Sequence, residues 1–353
     1  MTVGRRMLRA AVAACLAAMG GCDRSPAAPP GNGFDPVKVE SALATVNSVL
    51  GTPTMQSLTA LSPRLIVAAA PPAASSSDLN IACGAPASRA PMVAGAAALR
   101  ASSLIADSLF RHVIVYDTLA RGYRISADTG GPAGGIRFML YTVNGYALPS
   151  VPLTPDGWLD LADQGAGAAP QLRSQISNGT SGIADYLVGL SGTRVADAAV
   201  LSGTVTDGTH TLRFRDSTTS APVAGTVAVR GVVSAHVSDS LDGFSLDMLA
   251  SRTTFDPFDY EDTLDFTLMS GSQTLRLVGT ITTYCLFPSV DLTVAVNGTA
   301  YATVTNATPN VTLVGGRPAT TDEAQAVLDL QDGQRRLLVW LSALFAPAKA
   351  LLP

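Results

Sequence analysis

From about residue 109 to residue 314, apolar and polar residues alternate with a period of two in short runs, and Gly, Asp, Asn and Pro separate the runs. This pattern limits the fold more than any other feature of the chain. A period of two puts alternate side chains on opposite faces of a strand, so each run has one face to bury and one to wet. "FRHVIVYD", "GIRFMLYTVN", "HTLRFRDS", "QTLRLVGTITTYC" and "VDLTVAVNG" are representative. In "VAGTVAVRGVVSAHV" the positions Val223, Val227, Val229, Val233 and Val237 alternate with Thr226, Arg230, Ser234 and His236, which predicts one strand with a buried valine face. Asp207-Gly208, Gly271-Ser272 and Asn297-Gly298 mark hairpin tips, so neighbouring strands pair antiparallel. No helical pattern interrupts the run, which excludes a parallel βαβ sheet. The expected fold is mainly β: a large curved antiparallel meander sheet, or a partly closed barrel.

Helical signals flank this region. Asp35 reads as an N-cap followed by Pro36 at the first helical position, and Val37, Leu43, Val46 and Leu50 recur at helical spacing before Gly51, predicting a helix over 35–50. A second helical turn is expected over 55–61, followed by a loop in "AAAPPAASSSDLN". Near the C-terminus, Thr320 and Glu323 form a capping-box pattern ahead of a stripe of Val327, Leu328, Leu337, Leu338, Leu341, Leu344 and Phe345. This predicts an amphipathic helix over about 320–346, kinked or divided at Gly333. Its apolar stretch "LLVWLSALFA" is about half of the ~20 residues that a membrane span needs, and is expected to pack on the sheet. Together these elements describe a single β-rich domain over 35–353, with its β region at about 100–315 and helices packed on it.

The N-terminus is organised differently. Arg5, Arg6 and Arg9 precede an uncharged apolar segment over residues 10–19, the layout of a bacterial export signal. The sequence Met19-Gly20-Gly21-Cys22 that follows resembles the lipobox of bacterial lipoproteins, and the mature region resembles their β-rich envelope members. The resemblance implies a signal peptide over 1–21, a lipidated Cys22 and attachment to a membrane of the bacterial cell envelope. Residues 22–34, with "DRSPAAPPGNG", have the Pro and Gly content of a flexible tether. Removing residues 1–21 takes away three arginines and no acidic residue, so the formal charge goes from −4 to −7. No basic run offers a nucleic acid its counterion-releasing surface, so none is expected as a partner.

Cys15 lies within the signal, and Cys22 would carry lipid. Of the four cysteines this leaves Cys83 and Cys285, which in an oxidising compartment are expected to form a disulfide. Such a bridge closes a long loop and would stabilise the fold by about 5 kcal/mol in the chain-entropy model. Thiol titration of the denatured, unreduced protein checks it, and two free thiols would exclude the bridge.

The three histidines, His112, His210 and His236, each fall on a predicted strand and belong to no catalytic motif. His236 takes the polar register of its strand. Trp158, Tyr116, Tyr123, Tyr141, Tyr146 and Phe138 cluster in the first half of the β region, where they would line a concave face or fill the core. The densest acidic stretch is "DPFDYEDTLD", preceded by "DSLDGFSLD". Asp256, Asp259, Glu261 and Asp262 are the residues there that would hold a hard oxygen-liganded cation, although turns between exposed strands collect aspartates for solvation alone. No catalytic residue, cofactor or metal is assigned. The expected function is a membrane-anchored envelope lipoprotein that binds or scaffolds. Alternatives are a carrier of lipid or another apolar ligand, a surface carbohydrate- or ester-hydrolase using carboxylates, and an adhesin module.

Overall fold

The computed structural model describes residues 34–61, 104–144, 148–164, 171–192, 197–226, 228–255, 259–284, 287–305 and 310–349. The signal segment, Cys22, the tether up to residue 33, Cys83, Tyr146, Asp256 and Cys285 lie outside the described residues. Phe34–Pro353 is one compact unit.

Among the described residues fifteen strands form one open sheet. In chain order the first six are β1 (Val113–Asp117), β2 (Gly122–Ile125), β3 (Gly135–Tyr141), β4 (Pro155–Asp163), β5 (Gln171–Ser177) and β6 (Gly182–Gly192). Then come β7 (Asp197–Thr206), β8 (Thr211–Pro222), β9 (Val229–Asp239), β10 (Phe244–Thr254) and β11 (Tyr260–Ser270). β12 (Gln273–Tyr284), β13 (Phe287–Val296), β14 (Thr299–Thr305) and β15 (Asn310–Leu313) complete the sheet. From β3 to β15 each strand pairs antiparallel with the next. Turn chemistry explains the tightest connections. Gly271 (φ 60°) occupies the first central position of the β11–β12 tip, while Asn297 (φ 50°) and Gly298 (φ 78°) supply the paired left-handed residues of a two-residue hairpin between β13 and β14.

Three expectations are corrected here. The sheet is not closed: β2 and β15 are its two edges, so a partly closed barrel is excluded. The sheet is mixed, because β1 pairs parallel with β3 after the β1–β2 hairpin folds outward. The predicted valine strand is a turn followed by a single strand. β8 ends at Pro222, Val223 and Ala228 close a turn through Gly225 (φ 77°), and β9 starts at Val229, which is 38% exposed. Alternation continued through the turn, so the period alone did not reveal the break. The buried face of β9 is the predicted odd register only in its second half, at Ala235, Val237 and Asp239.

Among the described residues three α-helices accompany the sheet: α1 (Pro36–Leu50), α2 (Pro53–Leu61) and α3 (Thr321–Lys349). Asp35 caps α1 by accepting from the Val37 N–H at 3.2 Å. The α3 capping box is reciprocal, with Thr320 N–H donating to Glu323 Oε2 at 2.9 Å and Glu323 N–H donating to Thr320 Oγ1 at 3.2 Å. Gly333 does not divide α3, which runs on to Lys349. A Cβ there would come within 2.7 Å of Leu43 Cδ2, so the absent side chain makes room for α1. Buried Leu43, Val46 and Val49 of α1, Leu330, Leu337, Leu341 and Leu344 of α3, and strand residues such as Leu201, Phe214, Val237 and Phe266 belong to one continuous apolar cluster. Phe214 and Trp340 meet edge to face at 5.2 Å. Tyr116, Tyr123, Phe138 and Tyr141 are buried in the same cluster and serve as core. No helix among the described residues is long and apolar enough to cross a membrane.

Candidate functional site

Helix α1 lies along a row of hairpin tips. At its start, Asp35 N–H donates to Gln273 Oε1 (2.7 Å) at the β11–β12 tip. Two or three turns later, Thr45 Oγ1 donates to Asp242 Oδ2 (2.5 Å) at the β9–β10 tip, and Ser48 Oγ donates to Asp207 Oδ2 (2.6 Å) at the β7–β8 tip. In α2, Ser57 Oγ donates to Asp156 Oδ2 of β4 (2.9 Å). Of these carboxylates, Asp207 orders both its own turn and a helix. Asp207 Oδ1 accepts from the N–H groups of Thr209 and His210, at 2.9 and 2.8 Å. Burial opposes ionisation of Asp207, but these bonds and the one from Ser48 outweigh it and lower its pKa.

His210 enters this row from the β7–β8 turn. Its Nδ1 is 3.1 Å from Asp239 Oδ2 and 3.6 Å from Asp242 Oδ2. Asp239 closes β9 opposite Leu212 and is 2% exposed, and its second oxygen accepts from the Leu241 N–H at 2.9 Å. Among the described residues this is the one group of three His, Cys, Asp or Glu side chains whose ligand atoms gather within 4.8 Å.

The wet face of the sheet carries a second feature, an open groove of about 520 Å³ that includes Arg215, His236, Asp247, Leu249, Asp265 and Arg276 in its lining. Its charges are held across strands. His236 Nδ1 lies 2.7 Å from Asp247 Oδ1, and Arg276 donates to both oxygens of Asp265 at 2.8 and 2.6 Å. The Arg276 guanidinium keeps the Asp265 carboxyl below the usual carboxylate range. The same device recurs along this face, where Arg173 grips Asp185, and Arg137 grips Asp160 while stacking 4.6 Å over Trp158.

The acidic stretch does not assemble among the described residues. Asp262 is bound by both guanidinium donors of Arg252, each at 2.7 Å, and Arg252 in turn lies 4.2 Å over Tyr260. Asp262 shares the register of buried Leu264 and Phe266, whereas Glu261 takes the opposite register and is exposed. Asp259 directly precedes β11. Consecutive residues of a strand point to opposite faces, so Glu261 and Asp262 cannot share one cation. The preceding stretch, "DSLDGFSLD", supplied Asp239 and Asp242 instead. Sequence reasoning treated His210 as isolated because it lies 29 residues from Asp239.

No protein-family model, no curated protein and no solved structure matches this chain.

Proposed function

We propose that this chain is a lipid-anchored protein of the bacterial cell envelope that binds or scaffolds rather than catalyses. The observation that carries the binding role is the groove on the wet face, where charged and apolar side chains sit side by side on a broad antiparallel platform. Two of its carboxylates, Asp247 and Asp265, are engaged by His236 and Arg276. Asp265 is also kept well ionised, whereas a general acid needs a pKa brought up toward the working pH. A hydrolase built on the acidic stretch is less well supported, since Glu261 and Asp262 occupy opposite registers and do not face one cleft. A carrier needs an apolar cleft. In this reading amphipathic α1 and α3 dock on the curved sheet and fill that side, as their membership of one buried cluster supports. The membrane is reached through acylated Cys22, and a Cys83–Cys285 disulfide ties the segment ahead of the sheet to the position that follows β12.

Metabolic labelling with a fatty acid, followed by membrane fractionation and a screen against glycosides and esters, tests this reading. The expected result is acylated, membrane-bound wild type, a soluble and unlabelled Cys22→Ser variant, and no turnover by either. Soluble, unlabelled wild type would remove the anchor. Turnover that Glu261→Gln abolishes would instead establish the hydrolase.

A further inference from the structure

We propose that His210, Asp239 and Asp242 form a site for one divalent transition cation, with zinc the best match; this goes beyond the binding role and uses a different part of the molecule. The spacing fits. Zinc bonds of about 2.0–2.2 Å to nitrogen and oxygen put neighbouring ligand atoms roughly 3.0–3.6 Å apart, and His210 Nδ1 lies 3.1 and 3.6 Å from the two carboxylate oxygens. The donors also fit, because one imidazole with two carboxylates suits zinc and its neighbours better than calcium, which takes oxygen ligands alone.

Charge supplies an independent argument. The Asp239 side chain is 1% exposed, and among the described residues the only ion-pair partner of either carboxylate is His210. Two negative groups therefore face at most one positive charge, with one of them out of water, where uncompensated charge is costly. A divalent cation balances them, and the imidazole binds it through the Nδ1 lone pair, any proton on that nitrogen being released to solvent.

Both carboxylate ligands are already oriented by partners outside the cluster, and the His210 backbone is tied down beside them. Leu241 N–H holds Asp239 Oδ1, Thr45 Oγ1 holds Asp242, and Thr206 Oγ1 donates to the His210 carbonyl at 2.6 Å. The site is open on one side, where the His210 and Asp242 side chains are 21% and 32% exposed, so a cation can enter and keep water in its remaining positions.

The test is isothermal titration of the metal-stripped full chain with zinc chloride, alongside His210→Gln and Asp242→Asn variants whose folding is verified by circular dichroism. We expect one zinc per wild-type chain and an affinity lowered by about 100-fold or more in each variant. Asp242→Asn changes an exposed tip residue and keeps the test decisive should the histidine variant not fold. Absence of zinc binding by the wild type, or binding unchanged in a folded variant, would overturn the proposal.

Discussion

Trp340→Ala should be among the most destabilising single substitutions in the helices, lowering the unfolding free energy by about 3–5 kcal/mol. Trp340 is 2% exposed and meets Phe214 edge to face at 5.2 Å, so truncation removes a large apolar contact and leaves a cavity between α3 and β8. The aromatic pair adds about 0.5–1.5 kcal/mol beyond the area buried. Trp340→Phe is the informative companion. Among the described residues the indole N–H has no hydrogen-bond partner, so a phenyl ring keeps much of the packing and removes an unsatisfied donor. Its expected cost is within about 1.5 kcal/mol, the usual range for a conservative apolar exchange. Urea unfolding of the three proteins measures both values. Equal losses for the two variants would refute the expectation that a phenyl ring keeps the packing.

Glu323→Gln should cost on the order of 3 kcal/mol at neutral pH and flatten the acid limb of the stability profile. Burial opposes the charge of Glu323, yet Arg317, the Tyr301 hydroxyl and Thr320 hold its pKa down to about 2, from an ordinary 4.5. Tyr301 Oη donates to Oε1 at 2.5 Å, and Arg317 Nη2 reaches the same oxygen at 2.6 Å. Because the folded-state pKa is depressed, the contribution is complete above the ordinary value and is lost as the pH falls from about 4.5 toward about 2. Glutamine can still serve the capping box, but offers no charge to Arg317. Unfolding free energies measured at pH 7 and pH 3 decide the matter, and an identical drop in wild type and variant would refute the assignment to Glu323.

Turn and cap chemistry acts within four residues, and at that range the sequence was sufficient. Asn297-Gly298 marked a hairpin tip because few other residues accept two successive left-handed conformations, and Asp35 and Thr320 marked helix starts because their side chains complete the first turn. Alternation likewise placed Leu275 and Leu277 on one buried face and Arg276 on the other. What the local pattern missed was the turn through Gly225, since valines stayed in phase across it. That omission concealed the His210 cluster: with the turn placed, pairing from Pro222↔Val229 back to Leu212↔Asp239 carries His210 to the β9–β10 tip. Strand register, not sequence proximity, joins the three residues. The open edge at β2, the parallel β1–β3 pair and the space that Gly333 leaves for Leu43 were likewise decided only by tertiary structure. Each depends on which distant surfaces come together when the apolar faces are buried, and no window of neighbouring residues contains that information.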